Sequence, residues 1–192
     1  MEKSLITLIL KRAAIVLAAL SFILVVSCRG ATYYDKHPIV LPVYLDASFS
    51  PDEKADIVEG INEWNRFLNG QEILQIEDRP LTDEIKELQR HQLLIERADV
   101  SEAEEHVLGW TDDICSQEVH LVVERTKPNY NLTILTEHEI GHALCLNHTP
   151  INHTLMSRFI EYQDVCGIDA ATGQQFAETH PWFDSNKFKP CE

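Results

Sequence analysis

The sequence predicts one mixed α/β domain, of the α+β kind, over residues 39–192. Three observations carry this. Short runs rich in branched and aromatic residues recur along the chain with turn residues between them. Two segments, 51–69 and 131–146, carry helix-start signals and are too long for strands. No linker, internal repeat or low-complexity stretch divides the 192 residues, a length that suits one domain with a sizeable core.

Each element follows from its residues. "IVLPVYLD" (39–46) is a strand in which Pro42 argues for a sheet edge or a bulge. In "SFSPDEKADIVEGINEWNRFLNG", Ser50 caps a helix over 51–69, Pro51 fits its first position and Glu53 completes a capping box. Ile57, Ile61, Trp64 and Leu68 recur at helical spacing, so the aromatic stripe reads as core, and Gly70 reads as the stop. Residues 71–77 form a second strand, and 81–90 are charged and ambiguous. "HQLLIERADV" (91–100), "EHVLGWTDD" (105–113) and "EVHLVVER" (118–125) read as three more strands. "NLTILTEHEIGHALCL" (131–146) is the second long helix, with Asn131 as a cap, followed by a turn-rich stretch and a short helix near 169–178.

The first 28 residues differ from the rest. Lys3, Lys11 and Arg12 precede an apolar run, Ala13 to Val26, which is too short to span a bilayer comfortably but suits a signal-peptide core. The run ends in "VVSC", which resembles the bacterial lipobox. That resemblance implies a signal peptide over 1–27, a lipid on Cys28, a tether over 28–38, and a domain outside the cytoplasm, anchored to a membrane of the bacterial cell envelope. The alternatives are a plain secretory signal or an uncleaved anchor.

A formal charge of −15 argues against nucleic acid as a partner. Beyond residue 28 Cys115, Cys145, Cys166 and Cys191 remain, an even number that permits disulfides outside the cytoplasm. Four cysteines allow three full pairings, and the sequence does not choose among them.

The chemistry concentrates in "HEIGHALCLNH", residues 138–148. On a helix, residues i and i+4 share a face, so His138 and His142 project together and can hold one zinc ion. Glu139, beside the first ligand, can face a water there as general base without binding the metal. A third ligand is needed. His148 can supply it if the helix ends near residue 144 and the chain doubles back.

This stretch resembles the metzincin consensus HExxHxxGxxH and, within it, the matrixin-like wording HExGHALGLxH. Eight residues past His148, "TLMS" resembles the Met-turn, with Met156 as its methionine. The resemblance implies a metzincin-like zincin domain: a mixed twisted sheet with an active-site helix and a backing helix. It further implies a zinc endopeptidase with one catalytic Zn²⁺ on His138, His142 and His148, Glu139 as general base, and Met156 as an apolar floor. The partner would be a peptide or protein substrate lying along a sheet edge, for which Leu108, Gly109 and Trp110 are the candidates; Trp110 reads equally well as core.

Cys145 stands where that consensus has glycine. It is a tolerated small residue, half of a disulfide, or a thiolate on the metal. His153 and Glu161 are alternative third ligands, Glu161 at the spacing of gluzincin peptidases. Two other functional alternatives are a zinc-binding surface lipoprotein without catalysis, against which the retained Glu139 counts, and a structural lipoprotein with a chance motif. His120 reads as structural, and His37, His91, His106 and His180 as solvent-facing.

Overall fold

A computed structural model describes residues 39–88, 91–126, 131–158, 165–184, 186 and 190–191. The expected signal peptide, Cys28, the tether, His37 and Glu161 lie outside these residues. In chain order the elements are β1 (Ile39–Leu45), α1 (Pro51–Leu68), β2 (Glu72–Ile76), α2 (Asp83–Leu88), β3 (Leu93–Arg97), β4 (Gly109–Thr111), β5 (Glu118–Leu121), α3 (Val123–Thr126), α4 (Leu132–Ala143) and α5 (Ala170–Thr179). The strands form one sheet in the order β2-β1-β3-β5-β4. All pairs are parallel except β4 with β5, which puts a short antiparallel strand at one edge. Among the described residues no helix is long and apolar enough to cross a membrane.

The expected capping box opens α1. The Glu53 carboxylate accepts from the Ser50 amide at 2.8 Å, and Ser50 Oγ accepts from the Glu53 amide. Ile57, Ile61, Trp64 and Leu68 are all buried against the sheet and α4. Each buried aliphatic side chain of this kind contributes about 1.5–3 kcal/mol. Gly60 lets the two helices approach closely, because a Cβ there would stand 2.9 Å from the Thr133 carbonyl oxygen. The Trp64 indole N–H donates to the Glu137 carbonyl at 2.8 Å, so α1 grips α4 beside its first histidine.

The structure corrects several expectations. Pro42 is on an interior strand. The Val43 carbonyl accepts from Glu77 on the β2 side, so the alternate residue Pro42 faces β3, and the β1–β3 register starts only at Val43. Its missing N–H therefore costs no ladder bond. The charged stretch 81–90 contains α2, whose Ile85 covers Tyr44 and Leu94 on the outer face of the sheet. The strand expected over 105–113 shrinks to Gly109–Thr111. Arg125 accounts for this: its guanidinium donates to the carbonyls of Val100, Ala103, Glu104 and Val107, drawing that segment into a loop. The strand expected over 118–125 stops at Leu121 and turns into α3. His180, expected to face solvent, is buried, its ring stacked on Phe176 at 4.0 Å. His91 and His106 are exposed.

Candidate active site

Helix α4 begins with the Asn131 side chain accepting from the Thr133 and Ile134 amides. Most of its residues from Leu132 to His142 are buried, so its polar side chains must find partners inside the protein. The imidazole Nδ1 of His138 meets the Leu155 carbonyl at 2.6 Å, and that of His142 meets the Leu146 carbonyl at 2.8 Å. A carbonyl can only accept, so both rings carry their proton on Nδ1 and present a bare Nε2. Nε2 of His142 lies 3.1 Å from Nε2 of His138 and 3.2 Å from Nε2 of His148.

Two bare nitrogens at that distance cannot hydrogen-bond to each other. Nitrogens held at about 2.0–2.1 Å from one tetrahedral zinc ion lie roughly 3.3 Å apart, so the cluster fits that ion. Burial holds the pKa of His138 down to about 3 and lowers those of His142 and His148, which keeps all three neutral as ligands. His148 thus stands with the two helical histidines. His153, the alternative ligand, is exposed and belongs to no such cluster among the described residues. A second group, Asp112, Glu118 and His120, is gathered at the β4–β5 hairpin, where His120 stacks on Trp110 at 4.8 Å.

His148 reaches the cluster because α4 stops abruptly. The Cys145 amide donates to the His142 carbonyl at 3.0 Å, and the Leu146 amide to the Gly141 carbonyl at 2.9 Å. This is a Schellman turn, in which the residue after the cap takes the left-handed conformation. Cys145 is that residue, with φ of 69°. A side chain there costs roughly 1–2 kcal/mol. Cys145 is half of a disulfide with Cys115, so of the three readings of this position the structure selects the cross-link. Closing a loop of that separation stabilises by about 3–4 kcal/mol, more than the turn costs. Cys166 pairs with Cys191.

Met156 is fully buried and packs against Gly141 of α4. Its sulfur would stand 2.5 Å from a Cβ on Gly141, so a side chain there would displace the methionine. The Met156 carbonyl accepts from the Thr149 amide at 2.8 Å, and Leu155 supplies the carbonyl that orients His138. The Met-turn segment therefore holds both the first ligand and the strand of chain next to the third.

Glu139 is buried beside the histidines, and burial pushes its pKa up to about 8. One carboxylate oxygen is buried without a protein partner, while the other packs against Gly109, where a Cβ would stand 3.0 Å away. A cleft of about 270 Å³ opens over the group, lined by Gly109, Trp110, Ile114, Glu139, His142 and His148 among others. Gly109 and Trp110 thus face the cleft, whereas Leu108 packs against the core.

Cys115 was a disulfide candidate whose partner nothing in its neighbourhood names, and one buried residue escaped the sequence reading. Glu137 is buried, its pKa raised to about 8 by that burial, and its carboxylate packs against Gly167. Two glutamates flank His138: Glu139 lines the cleft, as its place in the motif implies, and Glu137 lies on the other side of the helix against Gly167.

The matrixin family model matches residues 63–171. Among solved structures, an archaemetzincin from Methanopyrus kandleri superposes with a TM-score of 0.51 at 13% identity, covering 73% of this chain and 94% of that one. High choriolytic enzyme 1, a hatching enzyme zinc-protease from the medaka fish Oryzias latipes, is a partial likeness. It has a TM-score of 0.33 at 16% identity and covers 58% of this chain and 46% of that one. No curated protein matches the sequence.

Proposed function

The chain belongs to the matrixin family, a family of zinc metalloproteases, and from that premise we propose that it is an endopeptidase with Glu139 as its general base. The observation that carries this is the convergence of three imidazole Nε2 atoms beside a buried carboxylate, in a cleft open along a sheet edge. His138, His142 and His148 would hold one zinc ion. When bound, it supplies Lewis acidity, polarising the scissile carbonyl and lowering the pKa of a water toward about 7.

The chain's own residues do the rest. Glu139 takes the proton of the attacking water on its unpartnered oxygen and delivers it to the leaving amine. Its apolar surroundings raise its basicity toward the value such a shuttle needs. The short edge strand β4 receives the substrate as an added extended strand, with its backbone groups supplying hydrogen bonds to a peptide in either direction. Gly109, without a side chain, lets that peptide and Glu139 come close together.

Lipidation of Cys28 and residence in the bacterial cell envelope remain part of the proposal, supported by the apolar run and the "VVSC" sequence. Two disulfides suit an oxidising compartment. The test is metal content together with cleavage of a mixed peptide library. Glu139→Gln should keep about one zinc per chain and lose about 10²–10⁴ in rate. Full activity in that variant would end the reading.

A further inference from the structure

We infer that the Cys115–Cys145 disulfide is a positioning element of the metal site, holding the turn that delivers His148 and fastening one wall of the cleft to it. The inference rests on the zinc reading above and adds to it the device that completes the ligand set.

Three observations lead there. Cys145 occupies the left-handed position of the Schellman turn, which a glycine would adopt unaided. A cysteine adopts it only at a cost, which the cross-link offsets. The covalent bond joins Cys145 to the β4–β5 loop, and the Cys115 amide donates at 2.9 Å to the His142 carbonyl, which also accepts from the Cys145 amide. The two half-cystines therefore converge on the backbone of one ligand.

The turn governs two of the three histidines. Leu146, the next residue, offers the carbonyl that fixes the tautomer and direction of the His142 ring. His148 follows two residues later. If the turn at Cys145 opened, His142 would lose its orienting acceptor and His148 its return path, whereas His138, held by Leu155, would keep its place. On the other side of the bond, Asp113 and Ile114 of the cleft wall directly precede Cys115. The cross-link thus couples metal affinity to the shape of the cleft. Cys115 and Cys145 act through these neighbours and touch neither metal nor substrate.

The test compares the full chain with two variants, by chelator competition for Zn²⁺ and by the absorption spectrum of the Co²⁺-loaded form. Cys115→Ser leaves Cys145 in the turn without its partner, and metal affinity should fall about 10–100-fold, the usual effect of losing an orienting contact. Combining it with Cys145→Gly gives the turn a residue that needs no hold, and affinity should return to near the wild-type value. A phosphine, which reduces the disulfide to two thiols and ends as the phosphine oxide with oxygen from water, should bring the wild type to the Cys115→Ser value. The double variant should not respond, although it retains Cys166–Cys191.

Equal affinity in wild type and Cys115→Ser would overturn the inference while leaving the zinc reading intact. So would a double variant as weak as the single one, or a sulfur-to-cobalt charge-transfer band in Cys115→Ser, which would make Cys145 a ligand. Failure of the oxidised wild type to bind metal would overturn both. Should Cys115→Ser not fold, the rate of chelator-driven zinc release from the wild type, before and after the phosphine, carries the same decision. A faster release supports the inference and an unchanged one overturns it.

Discussion

The two halves of the histidine cluster are built by different means. His138 and His142 sit four residues apart on α4, and helical geometry alone puts them on one face. His148 lies beyond the helix and arrives only through a left-handed turn, a disulfide and a backbone bond to the Met-turn. The first half is a local property of eleven residues. The second depends on contacts with segments far away in sequence. A metal site built this way has one preformed wall and one that must be held in place, so disturbances of the fold should reach the second wall first.

Removal of the third ligand should give the largest effect. His148→Ala should weaken zinc binding by more than about 100-fold, since losing even an orienting neighbour costs 10–100-fold. His153→Ala, in the same loop but exposed, should leave the affinity unchanged. Equilibrium dialysis of the two variants decides it, and a damaging His153→Ala would break the division into a helical half and a returning half.

Met156 packs against α4 at Gly141, next to His142. Met156→Ala should lower unfolding stability by about 2–5 kcal/mol, the range for buried aliphatic truncations. Denaturant unfolding of the metal-free chain measures it. A loss well below that range would mean that α4 does not depend on this contact.

The smallest effect should come from His180, stacked on Phe176 away from the cluster. Burial holds its pKa at about 4, below the ordinary 6.5. As pH falls below 6.5 the unfolded chain takes up a proton that the folded chain refuses, so His180 lowers stability progressively down to about pH 4, by on the order of 2 kcal/mol. Glu72 acts in the opposite direction: burial raises its pKa to about 7, so protonation on acidification favours the folded state. The difference between metal-free wild type and His180→Phe therefore isolates the histidine. The variant should lose less stability between pH 6.5 and 4, and equal losses would contradict the assignment.

The same division explains what the sequence made legible. The helix of α1, its capping box and its buried stripe follow from local chemistry, and the structure bears them out. His138, Glu139 and His142 are equally local. The position of His148 was readable only as a condition, that the chain double back, because the hold on Cys145 comes from Cys115, 30 residues earlier. Pro42 misled because an interior strand can still have one unpaired residue where its neighbour's register has not begun. The three-residue length of β4 is set by Arg125, whose four carbonyl acceptors no periodicity displays. His180 looks like an isolated polar residue until Phe176 is seen beneath it.

The central claim is that one zinc ion sits among these three histidines. Anomalous diffraction recorded on both sides of the zinc absorption edge, from crystals of the zinc-loaded chain, tests it most directly. The account predicts a single strong peak within about 2.0–2.1 Å of Nε2 of His138, His142 and His148. A peak at Asp112, Glu118 and His120 with none at the three histidines would contradict it.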